Sequence, residues 1–86
     1  MIQETITSHI MALVKEHTGI EDALSPETNL EDDLAIDSLE RVELAIKMEK
    51  AFGVALANSK LRHTLTIGDL IQLVIHAEQD KRVINV

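Results

Sequence analysis

Among the residues that could do chemistry, one serine stands beside an acid at the head of an apolar-periodic run. Asp37-Ser38-Leu39-Glu40 carries an acid followed three positions later by Glu, the pattern of a helix start with Asp as N-cap. If Asp37 accepts from the first-turn N–H groups, Ser38 falls at the first helical position with its hydroxyl free of capping duty. It then projects from the positive end of a helix, where a phosphodiester on that oxygen would sit beside N–H donors and favourable dipole charge. By position alone, an ordinary polar residue at a helix start is the better reading.

Other constellations lead nowhere specific. Glu31-Asp32-Asp33 lacks the alternating ligand spacing, central Gly and terminal Glu of an EF-hand loop, so it reads as a solvated acidic loop. His9, His17, His63 and His76 are scattered with no cysteine beside them, so no metal site is expected. His17 continues an apolar stripe and is expected to be partly buried. A Ser/His/Asp hydrolase is set aside because no nucleophile elbow is present, and no catalytic pair is found.

The elements that must position Ser38 are helical. Ile2, Ile6, Ile10, Leu13, Val14 and His17 lie at helical spacing, predicting a helix over about residues 2–17 that stops at Gly19. A long connection follows from Ile20 to Asp37, punctuated by Ile20, Leu24, Leu30 and Leu34, which should dock it onto the bundle. A second helix is predicted from Ser38 to Phe52, ending at Gly53, and a short turn of helix around Asn58–Leu61. The last helix opens at Thr66-Ile67-Gly68-Asp69, another cap with an acid at the third position, and runs to about Gln79. The expectation is an all-α, small four-helix bundle of three longer helices and one short one, with a long loop between the first two. Residues 1–79 form one domain, and 80–86 read as a weakly ordered tail.

Composition bounds the partners. Hydrophobic residues make up 45% of the 86, yet Phe52 is the one Phe, Trp or Tyr, so the core must be aliphatic. With no cysteine, disulfides and thiolate metal sites are excluded. The N-terminal residues lack the basic flank and apolar run of a signal peptide, and no apolar stretch approaches the roughly 20 residues of a membrane span. A cytoplasmic monomer without membrane insertion is the expectation. The net charge of −7 argues against nucleic acid as a partner. Residues 1–37 hold nine acids against Lys15, whereas residues 38–86 hold six acids against seven bases. The acidity is gathered ahead of Ser38.

The second helix has two apolar faces. At about 100° per residue, Leu44, Ala45, Met48 and Phe52 share one, while Leu39, Val42 and Ile46 share another that begins beside Ser38. A helix with two apolar faces is either touched on both sides within the bundle or awaits a partner, and periodicity leaves both open.

The stretch Leu30-Glu31-Asp32-Asp33-Leu34-Ala35-Ile36-Asp37-Ser38-Leu39, followed by Val42-Glu43-Leu44 and Phe52, resembles the signature of acyl carrier proteins. The resemblance extends over most of the chain. It implies that Ser38 receives a covalent 4′-phosphopantetheine arm and that Asp37 helps a phosphopantetheinyl transferase and its Mg²⁺ engage the site. It further implies that Leu39, Glu40, Val42, Glu43, Ile46 and Glu49 meet partner enzymes. The arm ends in a thiol that carries acyl groups as thioesters, so such a chain catalyses nothing alone and serves acyl-transferring or condensing enzymes of lipid or polyketide-type biosynthesis. The alternative is an interaction module of the same fold without the arm.

Two departures stand out. The Gly usual two residues before the Asp is Ala35, at a backbone position that Gly would leave free. The second helix also balances Glu40, Glu43 and Glu49 with Arg41, Lys47 and Lys50, and Lys60 and Arg62 lie beyond it. A formally neutral helix where the family is acidic points to a dedicated set of partners.

Overall fold

The computed structural model describes residues 3–20 and 23–84, with side chains as far as residue 79. Among them are four helices: α1 (Gln3–Thr18), α2 (Ser38–Phe52), α3 (Asn58–Leu61) and α4 (Ile67–Ile84). α1 packs on α2 and α4, and α2 also packs on α3. The expected all-helical bundle with its long first connection is what forms. Ile2, expected at the head of the first helix, lies outside the described residues.

Each boundary follows from local chemistry. α1 ends where Gly19 adopts a positive φ of 71° and donates to Lys15 C=O at 2.8 Å, while the Thr18 hydroxyl turns back to Val14 C=O at 2.9 Å. α2 stops in the same way at Gly53, whose N–H donates to Glu49 C=O. α4 opens with a closed capping box. Asp69 N–H donates to Thr66 Oγ1 at 3.2 Å, and Asp69 Oδ2 accepts from Leu65 and Thr66 N–H at 2.8 and 3.1 Å. The far end of α4 differs from expectation: the helix continues to Ile84, five residues past Gln79. No Gly or Pro interrupts 80–84, and Lys and Arg favour the helical state.

The core is aliphatic with one ring. Ile6, Ile10 and Val14 of α1, Leu44, Met48 and Phe52 of α2, and Ile67, Leu70 and Val74 of α4 are all buried. Phe52 meets the His9 ring edge-on, with centroids 4.9 Å apart at 60°, a favoured aromatic geometry. α3 adds Leu61, and the buried Thr64 satisfies its hydroxyl on Leu61 C=O at 2.7 Å.

The long connection is stitched to the start of α4 rather than left loose. Leu30 N–H donates to Leu65 C=O at 2.8 Å and Ile67 N–H to Thr28 C=O at 3.1 Å, around an antiparallel bridge of Asn29 with Thr66. Gly68 N–H reaches Pro26 C=O at 2.8 Å, and a Cβ at position 68 would stand 3.0 Å from that oxygen, tight even for a close contact. The acidic run then closes on itself. Asn29 Oδ1 accepts from Glu31 and Asp32 N–H, and Asp33 Oδ2 accepts from Asn29 N–H at 2.8 Å. Leu30 and Ile36 are fully buried, and Ile36 N–H returns to Leu30 C=O at 2.8 Å.

To bring Ile36 inward, the chain turns at Ala35, which takes a φ of +55°. An L-residue pays roughly 1–2 kcal/mol for that left-handed conformation, part of which a Gly returns through the entropy of the unfolded chain. Ala35→Gly should therefore stabilise the fold by about 0.5–1 kcal/mol. Urea or thermal unfolding measures this, and a destabilised variant would show that the turn is not strained.

Candidate functional site

α2 begins where the loop's last buried anchor ends. Ile36 is fully buried and Asp37 and Ser38 are exposed, so the serine hydroxyl stands at the surface just outside a fixed point. Asp37 is the N-cap, with extended backbone, and its Oδ1 accepts from Glu40 N–H at 2.9 Å. Ser38 is the first residue of the helix, as its spacing predicts, and it plays no part in that cap.

Glu40 departs from the expected box. Its carboxylate does not return to the cap; Oε2 lies 3.4 Å from Nε2 of His17 on α1. The other imidazole nitrogen, Nδ1, is 3.3 Å from Lys47 Nζ. An ammonium only donates, so Nδ1 is the acceptor in that contact, while the buried Nε2 faces the carboxylate without forming a hydrogen bond. His17, its side chain only 8% exposed, thus joins α1 to two turns of α2. Its partial burial follows the apolar stripe; its two charged neighbours are not readable from the sequence.

The two apolar faces separate as the periodicity predicts. Leu44, Ala45, Met48 and Phe52 are buried, whereas Leu39, Val42 and Ile46 are 69%, 39% and 44% exposed. The second face is therefore not covered by the described residues. Glu43 is exposed alongside it. Glu49 is half-buried three turns from Ser38, and its Oε2 accepts from Leu56 N–H at 2.8 Å, which pins the connection after α2.

A cleft of about 300 Å³ opens beside the serine, lined by Ser38, Arg41 and Val42 of α2, Asn58 and Leu61 of α3, and Arg62. In the sequence Arg41 counts only as a charge on the helix. Its Nη2 is 3.6 Å from the exposed Glu31 carboxylate, and its Nε is buried without a partner. The signal for Arg41 is its three-residue spacing from Ser38, which puts both on one side of the helix. Nothing local could have placed Arg62 there.

An exposed hydroxyl, free helix-start N–H groups and two guanidinium groups suit a phosphodiester on Ser38. Residues 8–74 match the family described as "Phosphopantetheine attachment site". The chain is also similar to the meromycolate extension acyl carrier protein of Mycobacterium leprae, at 37% identity over 91% of this chain and 69% of that protein. The chain belongs to the acyl carrier protein family. A relative of the same name from Mycolicibacterium smegmatis is 35% identical over 91% of this chain and 80% of its own. The fold matches a solved structure of an acyl carrier protein from Thermotoga maritima, with a TM-score of 0.77 at 18% identity, covering 91% of this chain and 92% of that one. It matches equally a chain from Mycobacterium tuberculosis assigned to the same family, with a TM-score of 0.78 at 24% identity over 81% and 95%.

Acyl carrier proteins are non-catalytic carriers with covalently bound 4′-phosphopantetheine, working with acyl-processing enzymes. Among the described residues no helix is long and apolar enough to cross a membrane.

The division of labour between cap and serine is measurable. Asp37→Ala should cost about 1 kcal/mol through the lost cap, whereas Ser38→Ala, which removes no hydrogen bond among the described residues, should stay within about 0.5 kcal/mol of wild type. Denaturant unfolding of both variants checks this; an equal loss in both would place Ser38 in the cap.

Proposed function

We propose that this carrier holds acyl intermediates as thioesters on a 4′-phosphopantetheine arm attached to Ser38 and delivers them to enzymes of lipid-type biosynthesis. The observation that carries the reading is the exposed Ser38 hydroxyl, held at a capped helix start close to the fully buried Ile36. In the loading step Ser38 Oγ forms a new bond to phosphorus as the pyrophosphate P–O bond of coenzyme A breaks. Adenosine 3′,5′-bisphosphate leaves, and the hydroxyl proton passes to a base on the transferase. Asp37 has one carboxylate oxygen in the cap and presents the other to the transferase and its Mg²⁺. The arm, once bound, supplies the thiol; this chain's residues position it and present a docking face. Meromycolate-type extension, the role carried in the names of the mycobacterial relatives, is the pathway class we favour, in a cytoplasmic setting.

The uncovered strip of Leu39, Val42 and Ile46, with Glu40 and Glu43 beside it, is the surface we assign to partners. Apolar residues in a charged rim give affinity through the centre and selectivity through the rim. We further propose a dedicated partner set, because exposed Lys50 and Lys60 stand on a surface that general partners with basic patches would meet unfavourably.

Two experiments test these readings. Incubating the apo protein with coenzyme A, Mg²⁺ and a broad-specificity transferase should add one phosphopantetheinyl group by intact mass, and Ser38→Ala should abolish the gain while keeping its helical circular dichroism. A wild-type protein refused by several transferases would favour the arm-free interaction module. For partner choice, Lys47 is engaged with His17, so Lys50→Glu with Lys60→Glu is the cleaner change. Use of the loaded carrier by a general fatty-acid ketosynthase should rise several-fold, each exposed pair being worth about 0–1 kcal/mol. The gain should shrink at high salt. Wild-type turnover already equal to that of an acidic carrier would remove the dedicated-partner reading.

A further inference from the structure

Resting on the attachment of the arm at Ser38, we propose that Arg41 and Arg62 clamp its phosphodiester, so that the first part of the arm lies docked in the cleft between α2 and α3. The cleft starts at the serine and carries two guanidinium groups and no carboxylate among its lining residues. Among the described residues the Arg41 side chain holds only a long contact to an exposed acid, and its Nε is a buried donor without an acceptor. Such a donor is costly to leave unpaired. A phosphodiester offers two non-bridging oxygens and one negative charge, and a planar guanidinium fork takes phosphate oxygens in pairs.

The rest of the lining suits the groups of the arm beyond the phosphate. The arm continues as a gem-dimethyl carbon and then an amide; Val42 and Leu61 offer apolar surface to the first, and the Asn58 side chain offers a donor and an acceptor to the second. At about 300 Å³ the cleft is at the lower end of ligand-sized pockets, which run from about 300 to 1,000 Å³. The two arginines also offset the acids that crowd the chain ahead of Ser38, which would otherwise repel a phosphate. The arm is thereby restrained on the carrier surface until a partner draws it out.

The clamp is tested by comparing apo and holo forms, the latter prepared with coenzyme A, Mg²⁺ and a transferase and verified by intact mass, for wild type, R41Q, R62Q and the double variant. Wild-type holo protein should melt roughly 4 °C or more above apo. That gap should fall close to zero in the double variant, and in wild type at about 0.5 M sodium chloride. The ³¹P resonance of the phosphodiester should move between wild type and the double variant. Arg62 is exposed, so R62Q alone should keep the fold and still narrow the gap even if Arg41 proves needed for stability. Equal holo–apo gaps and an unmoved ³¹P line, with the mass gain present, overturn the clamp alone. Absence of the mass gain in wild type removes the attachment reading and the clamp with it. Inorganic phosphate that stabilises the apo protein as much as the arm does would make the cleft a site for free anions and also overturn the proposal.

Discussion

Two backbone hydrogen bonds, one joining Leu30 to Leu65 and one joining Ile67 to Thr28, govern where Ser38 stands. They lash the long connection to the head of α4 and set Leu30 in the core. The turn built on Asn29 and Asp33 then delivers Ile36 to a second fully buried site. A loop with two buried anchors a few residues apart has little freedom left at its end, so the next residues, Asp37 and Ser38, emerge at a fixed place. Burying an isoleucine is worth about 1.5–3 kcal/mol. That exceeds the roughly 1–2 kcal/mol of left-handed strain at Ala35, so the chain accepts the turn.

α2 translates that fixed point into a surface with separate duties. One face fills the core, a second stays exposed, and a third, bearing Arg41, borders the cleft. The charges are less free than their count implies. Glu40 and Lys47 are gathered around His17, Glu49 is turned to Leu56 N–H, and Arg41 leans toward Glu31. A formally neutral helix therefore presents mainly Glu43 and Lys50 without such engagements. The exposed face of α2 is consequently more apolar than its acids and bases suggest.

What is legible in the sequence is whatever depends on local spacing. Ser38–Phe52 with its stop at Gly53, the short helix at Asn58–Leu61 and the grouping of Leu39, Val42 and Ile46 on one face all come from caps and periodicity, whereas the exposure of that face does not. The same local logic misleads at Glu40: three residues after an Asp cap it fits a box, but His17 on another helix competes for its carboxylate. It also ends α4 too early, because Lys81 and Arg82 favour the helix and no Gly or Pro stops it before Ile84. The cleft cannot be read at all, since Arg62 and Arg41 are brought together only by α3 packing on α2.

One serine, fixed by the buried loop and freed from the cap, is the residue to which the arm is assigned. Fragmentation mass spectrometry of protein purified from its native source tests that assignment directly, because Ser8, Ser25 and Ser59 are internal competitors. The expected result is a phosphopantetheinyl mass confined to the fragment containing Ser38. An arm on one of the other three serines, or a natively purified protein with none, would contradict it.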